Sequence, residues 1–169
     1  MRVKWLCKSD VRWEHIMTKE VIITICGLQA GPDADGEPIE MITTGEYFYK
    51  NGKHYLLYEE VMEGESSVTK NRIKVAPDYM ELTKNGVVSV HMVFEKGKKN
   101  QTHYYTPYGS LMIGIDAQKV EFIEKEDEID IDVEYALELN QEHAANCNIK
   151  INVKSKGSKL CILGSAREK

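Results

Sequence analysis

An all-β domain, folded as a sandwich or a barrel, is the class this sequence predicts, and three observations carry the prediction. Residues 128–139 set Ile129, Ile131, Val133, Tyr135, Leu137 and Leu139 on one parity and Asp130, Asp132, Glu134, Ala136 and Glu138 on the other. That period of two is a half-buried strand. Two Asn-Gly dipeptides, Asn51-Gly52 and Asn85-Gly86, sit between β-like runs and signal hairpins. No segment carries helical periodicity over a length that a helix would need.

Taken in order, strands are expected at 20–29, 39–50, 53–62, 67–76, 79–84, 87–95, 110–126 and 128–139, with 110–126 bent or broken at 116–119. The stretch Gly31-Pro32-Asp33-Ala34-Asp35-Gly36-Glu37-Pro38 reads as a loop. After a polar turn at 140–145, Ile149, Ile151 and Val153 alternate with Lys150, Asn152 and Lys154. An acidic outer face beside a basic one is what cross-strand pairing favours, so 128–153 forms a hairpin. At the second Asn-Gly, parity chooses the turn. A three-residue turn Lys84-Asn85-Gly86 aligns Leu82 with Val88 and Met80 with Val90, keeping apolar residues together, with Gly86 in the left-handed position of a bulge. Around Asn51-Gly52 aromatics occupy both parities, and parity does not decide.

At 169 residues the chain fits one domain. Residues 1–16 hold both tryptophans and four basic residues but neither period, and read as a disordered N-terminal extension with Met17 as the natural start. Residues 17–155 form the β-barrel domain and 156–169 a C-terminal tail. No run approaches the ~20 apolar residues of a spanning helix, which argues against membrane insertion. Only three apolar residues lie between Lys4 and Lys8, which argues against a signal peptide and for the cytoplasm. Cys7, Cys26, Cys147 and Cys161 form no CxxC pair and read as free thiols; no metal or cofactor is expected. The net charge of −5 argues against nucleic acid, and the Lys96-Gly97-Lys98-Lys99 cluster reads as a solvated turn.

Motifs for chemistry are missing. There is no HExxH, GxSxG or phosphate loop, and no nucleophile can be set beside a base. His91 falls on the outer parity of its strand. One of Glu59 and Glu60 must face inward, where a carboxylate can orient a ligand or lie at the rim bonded to a tyrosine or to backbone. The run Glu124, Glu126, Asp127 and Glu128 reads as a solvated strand end. Tyrosines outnumber phenylalanines nine to three and cluster at Tyr47/Tyr49, Tyr55/Tyr58 and Tyr104/Tyr105/Tyr108. They fit a cavity for an amphipathic molecule, and equally ordinary β-propensity.

The series Thr43-Thr44-Gly45-Glu46-Tyr47, Tyr55-Leu56-Leu57-Tyr58-Glu59-Glu60, Met92-Val93-Phe94-Glu95-Lys96-Gly97 and Tyr105-Thr106-Pro107-Tyr108-Gly109 resembles the YwiB-like family of bacterial proteins. The resemblance spans roughly residues 18–153. It implies an antiparallel up-and-down, calycin-like (lipocalin-like) β-barrel of about eight to ten strands in the cytoplasm, with no established activity. The chain departs from that family's Arg-x-Gly turn at Lys84-Asn85-Gly86, and from lipocalins in lacking Gly-x-Trp at Gly27-Leu28-Gln29. Architecture carries over; lipocalin function does not.

The expected function is a noncatalytic barrel that binds a small amphipathic or hydrophobic molecule through Tyr58, Glu60, Tyr105 and Tyr108. The rival is a protein-interaction or structural module with a side-chain-filled barrel, homodimeric through an edge strand. An enzyme ranks third. A roomy interior favours the first reading and a filled one the second.

Overall fold

The computed structural model describes residues 19–27, 40–61, 64 and 66–156. The expectations for residues 1–16, for the 31–38 loop and for the tail beyond residue 156 lie outside these. Ten strands follow one another: β1 (Glu20–Cys26), β2 (Glu40–Lys50), β3 (Lys53–Val61), β4 (Val68–Ala76), β5 (Tyr79–Asn85), β6 (Val90–Glu95), β7 (Lys99–Thr106), β8 (Gly109–Lys125), β9 (Glu128–Leu139) and β10 (Glu142–Ser155). They form one antiparallel sheet in the order β6-β5-β4-β3-β2-β1-β10-β9-β8-β7. Every neighbour in that order is a sequence neighbour except β1 and β10, which pair from Val21↔Ser155 to Cys26↔Lys150. The sheet therefore curls into an up-and-down barrel whose two ends are the consecutive strands β6 and β7. One bridge, Ser89↔Tyr105, joins them.

Alternation places the core. Val21, Ile23 and Ile25 of β1 face inward with Ile149, Ile151 and Val153 of β10 and Ile129, Ile131 and Val133 of β9, all nearly free of solvent contact. Each such side chain contributes about 1.5–3 kcal/mol when fully buried. The outer faces carry the charges. Lys119 reaches Asp132 (2.9 Å) and Lys125 reaches Asp130 (2.8 Å), while Asn152 Nδ2 donates to Glu128 and Asp130. The register Lys150↔Asp132 and Lys154↔Glu128 is the acid-against-base hairpin expected from the sequence.

Several expectations need correction. Strand β7 is absent from the sequence reading, because its inward residues are Asn100, Thr102 and Tyr104 rather than aliphatic ones. Strand β8 is unbroken, and the irregularity expected at 116–119 is there as a bulge, with Gln118 the extra residue between Ala117 and Lys119. The Asn51-Gly52 turn has both residues at positive φ (53° and 72°), the hairpin geometry that this dipeptide favours.

The turn at Lys84-Asn85-Gly86 is not the expected one. Lys84 pairs with Val90, Leu82 with Met92 and Met80 with Phe94, so the connection is longer while the parity is as expected. Gly86 is not left-handed; it is needed because a Cβ there would lie 2.7 Å from the Thr69 Cα. Close backbone approach, not turn conformation, selects the glycine.

Gly86→Ala is thus expected to cost about 1–3 kcal/mol by overpacking. Thermal unfolding of this variant checks it, and an unchanged Tm would contradict the packing account.

Candidate functional site

Polar groups enter the barrel interior at its two ends. At one end, Tyr58 and Glu60 of β3 share the inward face two residues apart, beside Asn71 of β4, which pairs directly with Tyr58. Lys84, the last inward residue of β5, donates to both Glu60 oxygens at 3.1 Å. Tyr104 of β7 lies close enough that burial, and then the Glu60 charge, raise its pKa. Burial and the same carboxylate push the Tyr58 hydroxyl far up, so it stays a neutral donor.

Two atoms here are unusual. Tyr58 is 3% exposed and Asn71 equally buried, yet the Tyr58 hydroxyl and the Asn71 Oδ1 have no hydrogen-bond partner among the described residues. Asn71 spends its Nδ2 on the Thr69 carbonyl at 3.3 Å. Leaving a buried polar group unpaired costs about 1–3 kcal/mol, and such groups are ordinarily completed by protein, water or a bound molecule. Tyr58 and Asn71 also line a groove of about 630 Å³, with Thr44, Glu46, Glu59 and Lys70 on its outward-facing walls. That volume is within the range of small-molecule sites.

Aromatic rings meet inside the barrel. His54 of β3 packs against Phe122 of β8, from the opposite wall, with ring centroids 4.6 Å apart. Phe94 meets Tyr135 edge-on at 5.0 Å. A second groove, of about 370 Å³, is walled by outward-facing Thr24, Cys26, Glu121, Ile123, Asp130, Asp132, Lys150 and Asn152.

The opposite end is built on His54, whose Nδ1 lies 2.8 Å from the Tyr47 hydroxyl. At 6% exposure, burial pushes its pKa down to about 4, and the ring stays neutral. Glu124 belongs to this end. It is half-buried on the inward parity and, after burial, is the next cause raising the Tyr47 pKa, which corrects its reading as a solvated residue.

On the outer face, burial pushes the Glu81 carboxyl up, but hydrogen bonds from Tyr79, His91 and Lys74 overcome this and bring it down to about 2. His91 is on the outer parity as expected, and is committed to Glu81.

Of the four residues expected to contact a ligand, the structure brings Tyr58 and Glu60 together. It does not bring Tyr105 or Tyr108 to them. Tyr105 points outward on β7, 56% exposed and stacked on His103, and Tyr108 sits fully exposed in the β7–β8 turn. The sequence reading missed Asn71, Lys84, Tyr104 and His54. A signal existed for two of them: Asn71 interrupts the parity of Ile73 and Val75, and Lys84 continues that of Met80 and Leu82.

With this geometry in place, comparison decides the family. The family model described as a domain of unknown function (DUF1934) matches residues 23–151. The chain belongs to this family. It is similar to the uncharacterized beta-barrel protein YwiB of Bacillus subtilis (strain 168), at 28% identity over 119 residues, covering 69% of this chain and 82% of the relative. The crystal structure of the ywiB protein superposes with a TM-score of 0.66 at 22% identity, covering 85% of this chain and 98% of that one. The barrel and the family expected from the sequence are both borne out.

The two titrating groups act in separate windows. The unfolded chain takes up a proton at His54 near pH 6.5 and the folded chain only near 4, so stability falls as pH drops through that range, by about 3 kcal/mol in all. Glu81 adds a second loss as pH drops from 4.5 towards 2. Urea unfolding of His54→Gln against pH should show the upper decline flattened and the lower one kept. Equal upper slopes in variant and parent would contradict the buried neutral histidine.

Proposed function

We propose that this chain is a noncatalytic binding module that takes a small amphipathic molecule at the Tyr58 end of its barrel. The observation that carries the reading is the pair of buried, unpartnered polar atoms, the Tyr58 hydroxyl and Asn71 Oδ1, in residues that line a groove of about 630 Å³. The hydroxyl offers a donor and the amide an acceptor. The neighbouring Glu60 and Lys84 neutralise each other, so the site selects a polar group without net charge. Because aromatic rings meet inside the barrel beyond this end, the ligand sits at the end rather than along the axis.

Histidine and carboxylate are also present as chemical groups, but His54 and Glu60 belong to opposite ends, and Glu60 is held by Lys84. Such a division supports binding over catalysis. The free Cys26 and Cys147 fit a cytoplasmic setting, where thiols stay reduced.

A second reading, an interaction module that pairs with another copy, is supported by the same ring contacts inside the barrel. Native mass spectrometry of protein gently purified from a bacterial host separates the two. Binding predicts extra mass that is lost on denaturation and lost in Tyr58→Phe, while that variant's Tm is unchanged or higher because an unpaired buried hydroxyl has gone. A bare monomer or dimer mass, together with a lower Tm for Tyr58→Phe, would overturn it in favour of a structural hydroxyl.

A further inference from the structure

The sheet is continuous through nine pairings and fails at one place, between β6 and β7. There, Ser89 and Tyr105 exchange both backbone hydrogen bonds, at 3.0 and 2.9 Å. Carried along the same antiparallel register, His91 would face His103 and Val93 would face Gln101, yet neither pair is bridged. What crosses the gap is a side chain: Asn100 Nδ2 donates to the Val93 carbonyl at 3.4 Å. Beyond it the 96–98 turn is tied to β8, with Gly97 N donating to Ala117 O at the bulge. Backbone groups facing the gap without ladder partners are completed by side chains, as the Val93 carbonyl is by Asn100, or by water or an incoming molecule.

The inner lining changes at the same place. The inward residues of β1, β6 and β9 are aliphatic or aromatic, while β7 presents Asn100, Thr102 and Tyr104, all only half-buried. An uncharged, hydrogen-bonding lining alongside an unzipped pairing is the composition of a wet passage, not of a core. It leads to the proposed site, because Tyr104 is within electrostatic reach of Glu60, which also acts on Tyr58.

We infer that the β6–β7 seam is the port of this barrel: small uncharged polar molecules pass between the strands along Asn100, Thr102 and Tyr104 to reach Tyr58 and Asn71, and the Ser89–Tyr105 bridge is its latch. The inference rests on the Tyr58 end being the binding site only for its destination; passage through the seam stands or falls separately. Opening two backbone hydrogen bonds and one side-chain bond is a local event, far smaller than unfolding the sheet.

The test uses iodoacetamide, itself a small uncharged amide, on the full chain, with labelling followed peptide by peptide so that the native cysteines are read apart. Two near-isosteric variants are compared. Thr102→Cys places a thiol on the seam's inner lining, and Val133→Cys places one on the far wall, where the parent residue is fully buried. The port predicts that the first thiol reacts at least about tenfold faster than the second under native conditions. Adding Tyr105→Pro removes the Tyr105 N–H that bonds Ser89 while leaving the β7–β8 ladder its own bonds. It should widen that ratio further. Equal labelling of the two thiols, or a Tyr105→Pro change that raises both rates in the same proportion, would overturn the inference. Neither outcome depends on whether a ligand is found at Tyr58.

Discussion

The pairing of β1 with β10 is the constraint on which the rest depends. It joins the two ends of the strand series through six consecutive residue pairs, which forces the remaining discontinuity to the middle of the chain. A barrel of ten strands has one closure to make, and this one closes its first and last strands fully and its central pair by a single bridge. The inward aliphatic residues of β1, β9 and β10 make that closed side the stable wall. On the β6–β7 side the backbone ladder is reduced to a single bridge, and the inward face of β7 is polar.

The same asymmetry orders the interior. Aromatic rings meet inside the barrel, Phe94 on Tyr135 and His54 on Phe122, and the polar side chains gather at its two ends, where water or a ligand can complete them. At the His54 end Tyr47 bonds His54, and the histidine stays neutral. At the Tyr58 end Glu60 and Lys84 pair off, and the Tyr58 hydroxyl and Asn71 oxygen are left over. What distinguishes the proposed site is that these two leftover atoms belong to paired neighbours that line one groove.

Most of the architecture was legible because the period of two is strong where one face is buried. Residues 128–139 announce β9 through six inward apolar residues, and the register of β9 with β10 follows from their charges. Strand β7 was not legible, because a strand whose inner face is Asn, Thr and Tyr has no apolar alternation to read. The turn after Lys84 was misjudged for a different reason. Gly86 is fixed by contact with Thr69, seventeen residues away along the chain, and local turn rules carry no trace of that. Tyr58 and Glu60 could be found from parity and the tyrosine cluster. Their partners come from three other strands: the register of β3, β4 and β5 sets Asn71 and Lys84 beside Tyr58, and the curl of the sheet brings Tyr104 to them from β7.

The central claim is that the Tyr58 hydroxyl and Asn71 oxygen are left unpaired within the chain because a bound molecule completes them. The most direct measurement is a high-resolution crystal structure of the protein purified gently from a bacterial host. The account predicts density for a non-protein molecule larger than water within hydrogen-bond distance of both atoms. A single ordered water bridging them, with the surrounding side chains unmoved, would contradict it.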